Sequence, residues 1–270
     1  MLNICLRNGG LSQLMYVSVI QLLIIGNKFL KKSLVTVRLK IYSTFSPTHV
    51  PYKANIQALK DEGCTHVIAT SACGSLNEAM APGHVVLIDQ FIDWTTKRPS
   101  TYFDSSMPPQ NANETEEKFF SRVTHISTAE PFCPRTRQIL RQACDDVALP
   151  ADRFHPAGTM ITIEGPRLSS RAESKMFRVL GADLINMTTC PEAALAKEAG
   201  LCYATIATVT DYDSWRAEGE VVTVEMIKNN ATKNQKLIFE ILCGAVEKIA
   251  AEKWEDTLTK LRDDVSSMQM

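Results

Sequence analysis

The chain has 270 residues, 45% hydrophobic and 22% charged, with a net charge of -1. That balance suits a globular protein with one large core or two small ones, and it lacks the basic surplus of a nucleic-acid binder. The eight cysteines show no CxxC or metal-ligand spacing, which points to a reduced cytoplasmic or nuclear protein without a metal site. In that setting the sequons at Asn113, Asn186 and Asn230 carry no consequence.

Between Arg7 and Lys28 lies an uncharged stretch, "NGGLSQLMYVSVIQLLIIGN". Its polar residues dilute it below a convincing membrane span, and no small-residue cleavage pattern follows. A buried strand or helix, or sequence foreign to the fold, is expected there, and no membrane partner. From Pro47 onward helices and strands alternate. Helical periodicity covers 50–63 and stops at Gly63. Apolar, β-branched runs predict strands at 64–72 and 84–93. A polar excursion over 94–127 reads as a functional or poorly ordered loop. An amphipathic helix is expected at 134–149, a strand at 158–165, a helix at 170–181, a strand at 182–188, a helix at 191–200 and a strand at 201–209. One long helix or two fill 222–251.

Such alternation predicts a mostly parallel α/β sheet, in which ligands bind outside the carboxyl ends of the strands. Four clusters fall there: 71–75, 164–167, 187–189 and 211–213. In "TVTDYDSW" (208–215), Asp211 and Asp213 lie on the same side of an extended chain, flanked by Tyr212 and Trp215. Paired carboxylates can accept hydrogen bonds from an amino group and, if one pKa is raised, deliver a proton. The plainer reading is a turn or helix cap. "SACGS" (71–75) and "MTT" (187–189) offer amides and hydroxyls for an anion, or ordinary turn chemistry. Arg167 and Arg171, crowded by Glu164 and Glu173, read as a surface or interface salt-bridge network. His125 reads as a surface residue. Catalytic-triad spacing, a G-x-G-x-x-G and a P-loop are all missing. The residues by themselves describe an α/β enzyme with an acidic, hydroxyl-lined pocket.

The segment "GTMITIEGPRLSSRAESKMFRVLGADLINMTTCPEAALAKEAGLCYATIATVTDYDSW" (158–215) closely resembles the methylthioadenosine phosphorylases, a branch of the trimeric purine nucleoside phosphorylase family. "YKANIQALKDEGCTHVIATSACGSL" (52–76) and "HISTAEPFCPRTR" (125–137) match the same family. The resemblance implies a single-domain α/β fold with a mixed, distorted sheet flanked by helices, a homotrimer, and no metal or organic cofactor. The implied reaction converts 5′-methylthioadenosine and phosphate to adenine and 5-methylthioribose 1-phosphate. By the family's pattern Asp211 sits against adenine N7 and N6, with Asp213 assisting. Met187 lies along the ribose, and Ser71, the Ala72 amide and Thr188 form part of the phosphate site. Leu168 and Ser169 belong to the substrate site, Val224 and Ile227 wall the methylthio group, and His125 is lent to a neighbouring subunit.

Two departures stand out. Leu168 replaces an aromatic that commonly covers the adenine. Residues 1–46 lack both the family's I-G-I-I-G-G-[ST]-G loop and its R-H-G motif. The chain therefore divides into an atypical segment, 1–46, and a phosphorylase domain, 47–270, and impaired phosphate binding is expected. The alternatives are a purine nucleoside phosphorylase of broader specificity and an inactive paralogue with a binding role.

Overall fold

The computed structural model describes residues 2–6, 21–26 and 34–38 by their backbone, and 45–103, 123–216 and 222–268 in full. Three strands come from the N-terminal segment: β1 (Leu2–Leu6), β2 (Gln21–Gly26) and β3 (Leu34–Arg38). After a 3-10 turn, α1 (Tyr52–Asp61) buries Tyr52, Ile56 and Leu59, a helical stripe. It ends before Gly63, whose φ of 74° suits glycine. Then follow β4 (Cys64–Ser75), β5 (Val85–Leu87) and β6 (Gln90–Trp94). Helix α2 (Pro134–Asp146) buries Thr136, Ile139, Leu140, Ala143 and Cys144, one face at helical spacing. Strands β7 (Phe154–His155) and β8 (Thr159–Ile163) lead to α3 (Arg171–Val179), which opens with a Ser170–Glu173 capping box. After β9 (Leu184–Asn186) comes α4 (Thr189–Glu198), in which Cys190 is non-helical before Pro191. Strand β10 (Cys202–Asp211) is buried along its whole length. Helices α5 (Val224–Ala251) and α6 (Glu255–Ser267) close the chain, so 222–251 forms one helix.

The strands join one sheet in the order β3-β1-β2-β4-β10-β5-β7, with β9, β8 and β6 branching off. The branch point is β4. Its first part pairs with β2, from Cys64 to Thr70, and its last residues, Gly74 and Ser75, pair with β9. The same strand runs parallel to β10 throughout. Beyond Thr70 the sheet therefore forks, and this fork is the source of its distortion.

The mostly parallel sheet expected from the alternation is corrected to the mixed one that the resemblance implies. Strands β2 and β9 lie antiparallel to β4, and β5 lies antiparallel to β10, whereas β8 is parallel to both β6 and β9. The single strand expected over 84–93 is two. The Ile88 amide still bonds Thr205 on β10, but the Asp89 carboxylate accepts the Gly158 amide beside β8. The chain crosses there from one limb of the fork to the other.

One face of the sheet packs α1 and α4 around Tyr52, Ile56, Leu195 and Tyr203. The opposite face packs α2 and α5 around Ile139, Leu140, Ile241 and Leu242. A smaller cluster, with Ile161, Phe177 and Ile185, fills the space under α3. Among the described residues no helix is long and apolar enough to cross a membrane.

Candidate active site

Both acids stand where β10 gives out. Asp211 is 4% exposed and is the strand's last residue, paired with Gly74 past a register shift that begins at Val209. Its Oδ2 accepts a hydrogen bond from the Thr210 hydroxyl at 2.7 Å, and its Oδ1 accepts the Asp213 amide at 2.9 Å. Asp213 takes a left-handed conformation, φ 46°, which turns the chain back on itself. Burial pushes the Asp213 carboxyl above the usual carboxylate range. The Asp211 charge adds to this, against the Ser174 and Ser169 hydroxyls and the Ser214 amide. Its Oδ2 is buried without a hydrogen bond among the described residues, as are the Ser169 and Ser174 hydroxyls. The two hydroxyls thus lie beside Asp213 without closing hydrogen bonds to it, leaving donors and acceptors that a ligand can use.

Gly74 makes the pair possible. A Cβ there would lie 2.9 Å from Asp211 Oδ1, 3.1 Å from Ile185 Cγ2 and 3.2 Å from the Asp213 Cβ. Only a residue without a side chain lets β4 carry both acids and β9 at this point of the fork.

The aromatics beside the acids have another task. The Trp215 indole donates to the Ser75 carbonyl at 2.8 Å, and the Arg178 guanidinium lies 3.7 Å over its ring. Arg216 lies 3.4 Å over Tyr212 and pairs with Glu78. They fasten the segment after β10 to the rest of the fold.

The predicted phosphate residues gather round Asn186, at the end of β9. Its amide nitrogen donates to the Ser71 hydroxyl at 2.9 Å and to the Thr189 hydroxyl at 2.7 Å. Its carbonyl oxygen accepts the Thr162 hydroxyl at 3.0 Å and, more loosely, the amides of Thr188 and Thr189 at 3.4 Å. Ser71 is thus joined through Asn186 to Thr188, and Ala72 follows it on β4, where the two lie beside Ala207 and Thr208 of β10. Met187 lies half-buried against the third cluster, its sulfur occupying the space where a Gly165 Cβ would stand.

The remaining candidates sit around this centre. Ser169 is buried beside Asp213, and Leu168 next to it is 39% exposed. Val224, at the start of α5, is exposed, and Ile227 one turn on is half-buried. His125 is exposed and its amide bonds the Met268 carbonyl; nothing described joins its ring to the acids. Arg167 pairs with Glu173 on the surface, as the sequence suggests, at 2.6 Å. Glu164 does not join them.

Glu164 instead pairs with Arg98, a residue sequence reasoning missed. Arg98 Nε donates to Glu164 Oε1 at 3.0 Å, and the arginine side chain has no exposed surface. The guanidinium also donates to the carbonyls of Ile163, Glu164, Met187 and Cys190 and to the Tyr52 hydroxyl. Burial works against Glu164 ionising. Hydrogen bonds from the Thr96 amide, the Thr48 hydroxyl, Arg98 and the Lys97 amide outweigh it and hold the carboxyl at about 2. Asn186 and Gly74 were missed as well. A sequon and a glycine within the 71–75 cluster were the visible signals, and neither showed the part that residue plays. Among the described residues no three metal-ligating side chains come together.

Residues 32–247 match the family model described as the phosphorylase superfamily. The chain is 50% identical over 217 residues to the S-methyl-5′-thioadenosine phosphorylase of Danio rerio, covering 80% of this chain and 72% of that protein. It is 47% identical over 222 residues to the enzyme of the same name from Xenopus tropicalis, covering 82% and 74%. Methylthioadenosine phosphorylase from Schistosoma mansoni, solved with adenine, superposes with a TM-score of 0.75 at 41% identity, covering 84% of this chain and 80% of that one. A mutant of the adenosine/methylthioadenosine phosphorylase from the same organism, solved with methylthioadenosine, gives 0.74 at 40% identity, covering 84% and 79%. The family match takes in β4 to β10 and both acids, and this chain belongs to the phosphorylase superfamily, among its methylthioadenosine phosphorylases.

Proposed function

We propose that the chain cleaves 5′-methylthioadenosine with phosphate, releasing adenine and 5-methylthioribose 1-phosphate. The observation that carries this reading is the buried Asp211 beside the half-buried Asp213, with unpartnered donors and acceptors around them. In the reaction the N9–C1′ bond breaks, positive charge develops on the ribose, and a phosphate oxygen bonds C1′. Negative charge gathers on the departing purine. Asp211 gives N7 a proton, and the proton carried in by hydrogen phosphate restores the acid. Beside it the Asp213 carboxyl is raised, first by burial and then by the neighbouring Asp211 charge. Asp213 accepts from the N6 amino group, which a 6-oxopurine does not offer. Ser71, the Ala72 amide and Thr188 hold the phosphate, Met187 lies along the ribose, Ser169 and Leu168 border the base, and Val224 and Ile227 receive the methylthio group.

The chain works as a homotrimer in the cytoplasm, with a neighbour's His125 completing each pocket. The exposed apolar side chains Trp94, Met176, Val179 and Leu180 on one side of the fold support such an interface. The deciding measurement is phosphate-dependent release of adenine from methylthioadenosine, with light scattering on the same sample. Adenine and a trimer are expected; inosine consumed faster than methylthioadenosine, or a fully active monomer, overturns the reading. Replacing residues 1–46 by a family-type N-terminus with both phosphate motifs should raise the rate. Equal rates would show that 1–46 already supply the donors.

Gly74→Ala tests the fork. Its methyl would press on Asp211 Oδ1 and Asp213 Cβ, so the acids must shift. A fall in kcat/KM of about 10- to 100-fold is expected, with ~1–3 kcal/mol lost in stability. Activity within twofold of the parent would mean that the acids tolerate displacement.

A further inference from the structure

We propose that Arg98 is a positioning residue for the phosphate and ribose subsites, acting through the turn at 187–190. This rests on the reading of the site as a nucleoside phosphorylase centre and adds a residue to it. The ladder between β8 and β9 ends at Thr162 and Asn186. Past that point the ladder stops, and the carbonyls beyond it have no amide across the ladder to accept from. Arg98 stands in the gap. It holds Ile163 and Glu164 on one side, at 3.2 and 2.6 Å, and Met187 on the other, at 2.5 Å, and it reaches Cys190 at 3.0 Å.

The turn is therefore gripped from both ends, by Asn186 at the Thr188 and Thr189 amides and by Arg98 at the carbonyls that flank them. Thr188 and Met187, between the grips, are the residues expected to meet phosphate and ribose. Glu164 neutralises the guanidinium, so Arg98 acts by geometry and contributes little long-range field. Lysine carries the same charge but is a point donor and cannot reach several carbonyls in a fixed fork. Among the described residues Arg98 makes no hydrogen bond to β10 or to the turn after it, which carry Asp211 and Asp213. A residue that merely stabilised the fold would affect both halves of the site alike, whereas a positioning residue of this kind splits them.

Arg98→Lys in the full-length chain tests the split. The expected result is a phosphate KM raised about 10-fold and a kcat lowered about as much, with the methylthioadenosine KM rising several-fold less, because its base contacts lie outside this turn. In hydrogen exchange the amides of 187–190 should open about 10-fold faster, with those of 202–209 unchanged. Equal changes in both KM values, an unchanged phosphate KM, or exchange that rises everywhere or nowhere would each overturn the proposal. Should the parent chain release no adenine, the reading of the site fails. The exchange comparison then decides by itself whether Arg98 holds this turn, and unchanged exchange at 187–190 sinks the proposal there too.

Discussion

Asp211→Asn is expected to lower phosphate-dependent release of adenine by roughly 10²–10⁴-fold, the usual cost of a positioned general acid, while leaving the fold intact. The two effects separate because of what Asp211 touches. Asparagine keeps an oxygen for the Asp213 amide, now at 2.9 Å from Oδ1. Its NH₂ faces the Thr210 hydroxyl, which can accept from it and still donate to the Cys73 carbonyl 3.0 Å away. Stability should therefore change by no more than about 1 kcal/mol. At the base the same NH₂ has no proton to give N7, and it opposes the N6 amino group. Inosine, with an oxygen at that position, should lose less or gain. Asp213→Asn should be milder, because a carboxyl already pushed upward by burial loses less when made permanently neutral. Rates on methylthioadenosine and inosine, with an unfolding midpoint for each variant, check the set. Near-parental release of adenine by the Asp211 variant would remove it from the chemistry.

The second large effect concerns a group that no reaction step uses. Glu192, on α4, is 3% exposed, and the Tyr203 hydroxyl donates to it at 2.7 Å. Burial pushes its carboxyl up to about 8 against the pull of that hydrogen bond. In the unfolded chain the group titrates near 4.3. Below that value both states hold the proton and the folded state bears no penalty. As pH rises, the unfolded state releases its proton while the folded state keeps it. Stability falls by about 1.4 kcal/mol per pH unit until the folded group also ionises near 8. Glu192→Gln removes the titration and retains an acceptor for Tyr203. The variant should match the parent near pH 4.5 and exceed it by ~3–5 kcal/mol at pH 8. The difference in urea midpoints across that range measures it; a difference that does not grow with pH would show Glu192 ionised in the folded protein.

Where the chemistry rests on neighbours in sequence, it was legible. Asp211 and Asp213 lie two residues apart, and so short a separation kept them neighbours, although the extended spacing expected of them gives way to a left-handed turn at Asp213. The stripe of α1 and the glycine that ends it are likewise local, since each obeys contacts within one or two turns of the chain. The family's motifs let the sequence name the reaction and the residues expected to hold phosphate.

What stayed hidden was set by contacts across long stretches of chain. The run at 84–93 read as one strand because both halves are apolar; it is broken at Asp89, which bonds Gly158 far along the chain. Gly74 had the look of a turn residue, yet it is required by the acids of β10 and by Ile185 on β9 at once. Asn186 looked like an idle sequon until the fold put Ser71 and Thr189 beside its amide. Arg98 sat in a polar stretch without periodicity, and the carbonyls it holds begin 65 residues later. Local sequence determined the helices, most of the strands and the acids, because backbone period and cap chemistry act over a few residues. The fork in the sheet and the grip on the 187–190 turn were decided by the tertiary structure. A buried arginine or a glycine at a crowded crossing finds its partners only when distant strands have come together.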